Sequence, residues 1–391
     1  MRAGLDVLLS DHAAIRALAG RKVGLCCNHT AVTQELDHAT TALRAAGVAL
    51  ARIFAPEHGV DALAQDMIGV EGDDARVPTI SLYGSTAASL RPDPAMLSDL
   101  DVVLFDIQDI GSRYYTYQAT LGYLMEVAAE TGTEVVVLDR PNPIDGVSLE
   151  GNVVEEGYES FVGAYPLANR HGMTMGELGT FFVKDVGIDC PFRVVKVEGW
   201  RRDQWFDETG LPWIFPSPNM PTLETAAIYP GLCLVEGTNL SEGRGTTRPF
   251  HLVGAPWIDR DRMTELCRKG AADARLDGVG FRAASFEPRF QKHAAVPCHG
   301  IEIVLTERRA VHSLLLGLVV LEAAIRTNAD RFAWRTETYE FVDDPIAIDL
   351  LTGSSEARAA LETHVPPREL IESWKPALDA FAARRARCLL Y

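Results

Sequence analysis

Short apolar runs alternate with longer amphipathic segments through the first half of the chain. Four of these runs have the length of a strand and are β-branched or strongly apolar: Val23 to Cys27, Leu50 to Phe54, Val102 to Ile107 and Glu134 to Leu138. Unbroken apolar runs are typical of strands that a sheet buries on both faces. They predict four strands in the core of the first half.

Helical periodicity appears between these runs. From Tyr114 to Glu130, apolar residues recur at i, i+4, i+7, i+8 and i+11, which is one stripe of an α-helix. Thr33 to Ala46 is a weaker candidate helix. Strand and helix in alternation predict parallel βαβ units and a Rossmann-like, doubly wound α/β sheet. The letters NHTA at positions 28–31 stand where a GxGxxG turn would bind a dinucleotide, so NAD binding is not favoured.

A change of composition divides the chain. Thr174 and Glu177 have the spacing of a capping box that opens a helix through Phe182, and a strand is predicted from Val194 to Val197. Residues 200–221 then become rich in Trp, Pro and Gly and end in PSPNMP, which suits neither a helix nor a central strand. We therefore predict a Rossmann-like catalytic domain at 1–215 and a smaller auxiliary α/β domain at 216–391.

The predicted auxiliary domain contains a strand from Gly300 to Leu305 and a helix from Ala310 to Ile325. The stretch from Pro367 to Tyr391 is predicted to be one helix with arginines on its exposed face. We expect this domain to close over the first one and to form a cleft between them.

Charge and cysteine usage narrow the class of protein. The 391 residues carry a formal charge of -17, which disfavours nucleic acid or an anionic membrane as a partner. Seven cysteines at irregular positions, without a CxxC pair, indicate buried free thiols in a reducing compartment. The first twenty residues lack the basic start and apolar centre of a secretory leader. We expect a soluble cytoplasmic protein, or a periplasmic one if a leader is missing; the oligomeric state stays open.

Candidate acids and bases follow the predicted strands. Glu57 comes after the second strand, behind a proline and ahead of a turn, where a partly desolvated carboxyl group can act as a general acid. His58 could assist it or bind a substrate hydroxyl. Asp106 and Asp109 end the third strand, and a carboxylate facing Glu57 would complete the acid and base pair of glycoside hydrolysis. A surface loop for Glu57 and a helix cap for Asp109 remain the alternatives.

Other side chains could recognise a ligand. Arg113, Arg170 and Arg244 lie in turns or at helix starts, where a guanidinium can meet a carboxylate, and the glycines around Arg244 let backbone approach a ligand. Several aromatic side chains offer the faces on which sugars stack, although at helical spacing they more often belong to a core: Tyr114, Tyr115, Tyr117, Trp213 and Tyr229. Metal-ligand spacing such as HExxH or paired Cys and His is missing, so no metal is predicted.

Long blocks of the sequence resemble the NamZ (YbbC-like) exo-β-N-acetylmuramidases. They include FAPEHGV, FDIQDIGSRYYTY, VLDRPNP, SFVGAYPLANRHGMTMGEL, PSPNMPT and EGTNLSEGRGTTRPF, and the similarity covers nearly the whole chain. The resemblance implies a Rossmann-like domain joined to an auxiliary domain, with the site between them and no cofactor. It also implies release of non-reducing terminal N-acetylmuramic acid from peptidoglycan fragments, with Glu57 as the catalytic residue.

The residues and the resemblance together give the predicted site. The catalytic candidates are Glu57 as the acid and Asp106 or Asp109 as the group that activates water; attack by the substrate's own acetamido group is the other route. Arg244 or Arg113 would hold the lactyl carboxylate of the sugar. The side chains expected to bind substrate are Asn28, His58, Arg113, Tyr115, Arg170, His171, Asn219, Glu236, Asn239, Glu242 and Arg244.

The chain departs from the family pattern after PEHGV, where relatives commonly have Arg-Gly and this chain has Asp61-Ala62. That difference can change substrate preference. The expected substrate is a small carbohydrate, a muropeptide or a disaccharide that contains N-acetylmuramic acid, in peptidoglycan recycling and cell wall turnover. A sugar-binding protein of the same fold without activity is the alternative, although such a protein has no need of an acid in its cleft.

Overall fold

The computed structural model describes residues 1–57, 59–60, 77–84 and 86–391. Within these residues the chain forms eleven strands and twelve α-helices, connected by loops and short 3-10 or π turns. The strands are β1 Val23–Cys27, β2 Leu50–Ala55, β3 Thr79–Ser81, β4 Val102–Asp106, β5 Glu134–Leu138, β6 Glu150–Val153, β7 Ala168–Arg170, β8 Phe192–Val195, β9 Leu252–Ala255, β10 Val279–Phe286 and β11 Cys298–Leu305. The helices are α1 Gly4–Ser10, α2 His12–Leu18, α3 Ala39–Ala45, α4 Tyr117–Thr131, α5 Met175–Phe181, α6 Leu223–Leu232, α7 Arg260–Asp273, α8 Ser313–Thr327, α9 Ala347–Thr352, α10 Glu356–Glu362, α11 Pro367–Ser373 and α12 Lys375–Ala386.

The first half is built on a six-stranded parallel sheet. Among the described residues its strand order is β3-β2-β1-β4-β5-β8, and every neighbouring pair is parallel. β1 and β4 are buried along their whole length, as their unbroken apolar runs predict. The strand order reverses between β1 and β4, and ligands of such sheets bind beyond the carboxyl ends of the strands. The predicted Rossmann-like α/β class is confirmed.

Antiparallel strands form the second sheet. In the described residues its order is β10-β11-β9; α7 packs against it, and α8 packs against α7. α6 and α8 cross closely, because Gly231 and Gly317 face each other with no side chain between them. This is the smaller α/β unit that the sequence predicts; the division at residues 215 and 216 stays a prediction.

Two details of the predicted helices differ in the structure. The capping box at Thr174 and Glu177 is present, but α5 ends at Phe181 and continues as a π turn. The C-terminal region forms α11 and α12 rather than one helix, and Arg385 of α12 points inward, where its guanidinium donates to the carbonyl oxygen of Gly172 at 2.7 Å. A charge pattern alone did not reveal this buried arginine.

The end of the chain packs against the first half. The Tyr391 hydroxyl donates to Oδ2 of Asp139 at 2.6 Å, and the Leu390 amide donates to Oε1 of Glu177 at 2.8 Å. Asp139 follows β5 and Glu177 lies in α5, so the last residues hold the two halves together. None of the helices in the described residues is long and apolar enough to cross a membrane.

Candidate active site

Side chains from both halves of the molecule line one cleft beyond the carboxyl ends of β2 and β4. Three carboxylates reach it, from Glu57 in the first half and from Glu236 and Glu340 in the second. Hydroxyl, amide and guanidinium groups and aromatic rings complete the wall. The remaining lining residues are Tyr114, Tyr115, Thr116, Tyr117, Val162, Ser217, Asn219, Met220, Tyr229, Arg244, Phe250 and Tyr339.

Glu57 is positioned by the end of β2. Pro56 precedes it, and the Gly59 amide donates to the Pro56 carbonyl at 3.0 Å, so the chain turns directly after the strand. Gly59 has a φ of 79°, a left-handed conformation that glycine adopts without strain. The Glu57 side chain is 7% exposed, and its Oε2 accepts a hydrogen bond from the Thr116 hydroxyl at 2.5 Å. The carboxyl group is therefore fixed at the edge of the sheet where the sequence predicts it.

Tyrosines pack around this carboxyl group. Tyr115 contacts the rings of Tyr117 and Tyr229 edge to face, with centroids 5.0 Å and 5.8 Å away. Burial raises the pKa of Tyr117, and the nearby Glu57 carboxylate raises it further. Burial likewise raises the pKa of Tyr115 well above its ordinary value. Both phenols therefore stay protonated at neutral pH. The Tyr117 hydroxyl donates to the Pro216 carbonyl at 2.8 Å, so Tyr115 is the phenol that can donate a hydrogen bond to a sugar.

Arg244 lies between two carboxylates of the second half. Its Nη2 is 2.5 Å from Oε1 of Glu236, and its Nε is 3.4 Å from Oε1 of Glu242. Oε2 of Glu236 accepts a hydrogen bond from the Tyr339 hydroxyl at 3.0 Å. The glycines on either side of Arg244, Gly243 and Gly245, both have a φ of 77°. Their left-handed conformation folds the loop so that the guanidinium faces the cleft.

Backbone strain is found at the same cleft. Phe250 and Glu340 have left-handed φ angles of 64° and 46°, and Phe341 beside them has 66°. Residues with a Cβ rarely adopt this conformation, and it costs free energy that surrounding contacts must offset. Glu340 is held there with its Oε2 3.2 Å from the Tyr83 hydroxyl of the first half. Strain of this kind often accompanies functional sites.

The two aspartates predicted as catalytic partners do not line the cleft. Asp106 is fully buried, and both of its oxygens accept from Arg140, from Nε at 2.5 Å and from Nη2 at 3.1 Å. Asp109 is 5% exposed, and its Oδ2 accepts from the Gly111 amide at 2.6 Å. Asp106 therefore forms a buried ion pair with Arg140 at the edge of the sheet. Asp109 does not cap a helix; its side chain closes a local turn by accepting from the Gly111 amide.

His171 packs against Asp109, away from the lining. Its Nδ1 accepts the Met173 amide hydrogen at 3.1 Å, which leaves the ring proton on Nε2. That Nε2 faces Oδ2 of Asp109 at 3.6 Å. Both side chains are buried, and the remaining oxygen of Asp109, Oδ1, has no hydrogen-bond partner. The pair thus forms a polar layer that does not reach the cleft surface.

The structure does not bring Arg113 and Arg170 to the cleft. Arg113 is completely buried and donates to three backbone carbonyls, those of Asn152, Leu167 and Leu351. Burial lowers the pKa of Arg113 to about 10. Arg170 is buried between Glu150 at 2.6 Å and Asp145 at 3.0 Å. Both arginines hold segments of the fold together instead of offering a guanidinium to a ligand.

The other predicted binding residues divide among three places. Asn219, Tyr115, Glu236 and Arg244 line the cleft, whereas Asn28 lies behind it and donates to the Tyr117 hydroxyl at 2.9 Å. Asn239 and Glu242 line a larger cavity on the far side of Glu236. His58 lies outside the described residues, as do Asp61 and Ala62.

Tyr339 and Glu340 are among the lining residues that the sequence does not predict. They come from an irregular segment after α8 that has neither a strand end nor a glycine-rich motif to mark it. The local signal for them is the alternation of acidic and aromatic residues in ETYEF, residues 337–341, a combination that is typical of sugar-binding surfaces. Trp213, considered as a sugar platform, instead donates from its indole nitrogen to the Pro221 carbonyl at 3.1 Å.

The cleft is closed in this structure. Its internal volume is about 40 Å³, far below the roughly 300 Å³ at which pockets for small molecules begin. A sugar can enter only if side chains or the two halves move apart. Among the described residues, no group of three His, Cys, Asp or Glu side chains is arranged to hold a metal ion.

A cleft of carboxylates, phenols and amides between two α/β units defines the class of a carbohydrate-acting hydrolase. Two family models match the chain: exo-β-N-acetylmuramidase NamZ, N-terminal, over residues 23–224, and exo-β-N-acetylmuramidase NamZ, C-terminal, over residues 227–391. The chain belongs to this NamZ family.

Individual relatives are similar over most of their length. The chain is 41% identical, over all of its own length and 91% of the relative, to the peptidoglycan β-N-acetylmuramidase NamZ of Bacillus subtilis strain 168. Two crystal structures of DUF1343 family proteins from Bacteroides fragilis NCTC 9343 have similar folds. Their TM-scores are 0.85 and 0.75 at 31% and 26% identity, and in both cases all of this chain and 98% of the other are covered.

Proposed function

We propose that this chain is an exo-β-N-acetylmuramidase, a glycoside hydrolase that releases non-reducing terminal N-acetylmuramic acid from peptidoglycan fragments. The observation that carries the proposal is the Glu57 carboxyl group, fixed by Thr116 at 2.5 Å and buried among tyrosines in the cleft between the two halves. Membership of the NamZ family and the activity named for the Bacillus relative support it.

Glu57 is the general acid in this proposal. Cleavage of a glycosidic bond leaves an alkoxide, and a carboxylic acid at the leaving oxygen supplies the proton that makes departure possible. Thr116 orients the carboxyl group, and the protonated phenol of Tyr115 is a donor for sugar hydroxyl or acetamido oxygens.

Arg244 is the group that recognises N-acetylmuramic acid in this proposal. This sugar differs from N-acetylglucosamine by a lactyl ether that carries a carboxylate. In an acidic protein, a carboxylate ligand needs a local cation, and Arg244 is the guanidinium that lines the cleft in the part of the chain described. In this structure the guanidinium is paired with the Glu236 carboxylate, so the lactyl carboxylate would replace Glu236 or share Arg244 with it.

Two routes remain for the second chemical role. The substrate's acetamido group can attack the anomeric carbon, or a carboxylate can activate water. Glu340 is the better candidate for the carboxylate, because it lines the cleft from the half opposite Glu57, whereas Asp106 is held by both of its oxygens on Arg140. Asp109 lies behind the lining, next to His171.

A cytoplasmic location, with imported muropeptide fragments as substrates, stays our prediction. All seven cysteines are buried and unpaired, which suits a reducing compartment. Separation of the native host's cytoplasmic and periplasmic fractions, followed by immunodetection of the protein, tests this location. Recovery mainly in the periplasmic fraction would contradict it.

The experiment for the reaction compares wild type and Glu57→Gln on a chromogenic aryl β-N-acetylmuramide, with the matching β-N-acetylglucosaminide as the substrate control. We expect wild type to release N-acetylmuramic acid selectively from the aryl muramide. On a disaccharide of N-acetylmuramic acid β-linked to N-acetylglucosamine, whose alkoxide leaving group needs a proton, Glu57→Gln should lose about 10²-fold to 10⁴-fold in kcat with an unchanged circular dichroism spectrum. The loss on the aryl muramide should be smaller, because a phenolate can leave without a proton. A folded wild type that binds N-acetylmuramic acid but hydrolyses neither glycoside would favour the sugar-binding alternative.

A further inference from the structure

A second cavity lies directly beside the Glu57 cleft and belongs to the second half of the chain. Its volume is about 630 Å³, within the range of pockets that hold small molecules and far larger than the closed cleft. Its walls are formed by Glu236, Thr238, Asn239 and Glu242 and by residues 291–293 and 333–337. We call it the outer groove.

Glu236 lines both the cleft and the outer groove, so the two spaces are neighbours across one side chain. The wall between them is a row of alternating charges. Glu236 contacts Arg244, Arg244 contacts Glu242, and Oε2 of Glu242 is 2.8 Å from Nζ of Lys292. Because these charges compensate one another, a ligand that passes Glu236 meets a wall with little net charge.

The walls of the outer groove are held in place by internal contacts. Nε2 of His293 is 2.8 Å from the carbonyl oxygen of Asn239, and Lys292 donates to the carbonyls of Val235 and Thr238, both at 3.1 Å. The Asn239 amide group bridges the Arg331 carbonyl and the Ala333 amide. Because these groove walls are ordered before binding, the protein loses less conformational entropy when a ligand binds.

Trp334 is an aromatic surface in this groove. Its indole nitrogen donates to Oε1 of Glu362 at 2.8 Å, and its ring packs edge to face on Phe332 at 4.9 Å. These two contacts fix the orientation of a half-buried indole. An indole face with amide and hydroxyl groups around it is a surface suited to a neutral hexosamine, whose ring has one apolar face and a polar rim.

We infer that the outer groove is the aglycone site, which binds the saccharide on the leaving-group side of the bond that is cut. This inference rests on the proposed function. An enzyme that removes one terminal sugar needs an enclosed place for that sugar and open space for the rest of the glycan. The cleft at Glu57, once it opens, encloses the terminal sugar, and the large adjoining groove is the open space. The ligand class is a neutral N-acetylhexosamine with the chain that follows it.

The test fills the groove from an exposed position. Ala333 lines it and is exposed, so Ala333→Trp adds bulk there without disturbing the core. We expect kcat/KM for a peptide-free disaccharide, N-acetylmuramic acid β-linked to N-acetylglucosamine, to fall at least tenfold. The value for an aryl β-N-acetylmuramide should stay within twofold of wild type, because its aglycone is small. Ala272→Trp, at an exposed position of α7, is the matched control.

Trp334→Ala is the second variant, with an expected fivefold to tenfold rise in KM for the disaccharide alone. Equal activity of Ala333→Trp and wild type on the disaccharide would overturn the inference. So would a loss confined to a disaccharide that carries a stem peptide, since the groove would then hold the peptide. Failure of the wild type on the aryl muramide would instead count against the proposed function.

Discussion

Arg244 and Glu236 form an ion pair at the cleft, with Nη2 and Oε1 2.5 Å apart and both side chains about nine-tenths buried. The Tyr339 hydroxyl holds the second oxygen of Glu236 at 3.0 Å. A carboxylate of the protein therefore occupies the position that the proposed function gives to the lactyl carboxylate of the substrate. A sugar without this carboxylate has no group with which to displace Glu236, and that difference makes the pair a means of selection.

Arg244→Lys should weaken recognition of the muramide. The ammonium group cannot present the planar fork of a guanidinium to a carboxylate, and a hydrogen bond to a charged group contributes about 1.5–3 kcal/mol. We expect kcat/KM for the aryl muramide to fall about tenfold to a hundredfold, with less change for the glucosaminide. Steady-state kinetics on both substrates measure this ratio, and an equal loss on both would show that Arg244 does not read the lactyl group.

Glu236→Gln should have the opposite effect on binding. A neutral amide competes less well for Arg244 than a carboxylate does, by about 1 kcal/mol. We expect KM for the muramide to fall roughly fivefold while kcat changes little. A drop of a thousandfold in kcat would contradict this, because it would mean that Glu236 takes part in the chemistry itself.

Glu340→Gln and Asp106→Asn separate the candidates for the second carboxylate. Asp106 is buried against Arg140, so Asp106→Asn should lower thermal stability and leave kcat of the folded enzyme within a few fold. Glu340→Gln should lower kcat by 10²-fold or more if Glu340 activates water. Full activity of Glu340→Gln, together with inhibition of the wild type by a thiazoline analogue of the sugar, would favour attack by the acetamido group.

The parts of this fold that local sequence pattern decides were predicted well. β1 and β5 have the predicted bounds, because β1 and all of β5 after Glu134 are buried runs of apolar residues. The position of Glu57 is predictable because it comes two residues after the end of β2. Arg113 was placed at the substrate because arginine in a turn is usually exposed, yet its partners include the Leu351 carbonyl, 238 positions away. Nothing within a short window of sequence contains that contact, and the same is true of Glu340.

His312 should make stability depend on pH. Its Nδ1 is 3.1 Å from Oε2 of the buried Glu150, so the pair joins the start of α8 to β6 of the first half. Burial lowers the pKa of His312, but the Glu150 carboxylate raises it more, and the net pKa lies above the ordinary value of 6.5. Burial raises the pKa of Glu150, yet His312 and Arg170 together bring it down to about 2.

A histidine with a raised folded pKa stabilises the protein below the unfolded value of about 6.5, and this contribution is lost as pH rises through the folded value. His312→Gln should therefore lower stability by roughly 1 kcal/mol more at pH 5.5 than at pH 9, where the loss that remains is that of the Nδ1 cap on the Leu315 amide. Thermal unfolding at the two pH values measures this, with His12→Gln at an exposed position of α2 as the control. An equal loss at both pH values would indicate that packing, not charge, is what His312 contributes.

Gly317→Ala should destabilise the crossing of α6 and α8. A Cβ at Gly317 would lie 2.2 Å from the carbonyl oxygen of Gly231, which is backbone and cannot rotate away. In a helix, alanine is more favourable than glycine by about 1 kcal/mol, but separating two packed helices costs about 3 kcal/mol or more. The net effect on the free energy of unfolding is therefore a decrease. Gly280→Ala in β10 is the control, because a Cβ there meets no atom within 4 Å and should leave stability unchanged or slightly higher. Thermal midpoints of the two variants measure the difference. Equal midpoints would mean that the helices can move apart without cost, and that the glycine pair does not determine how closely they pack.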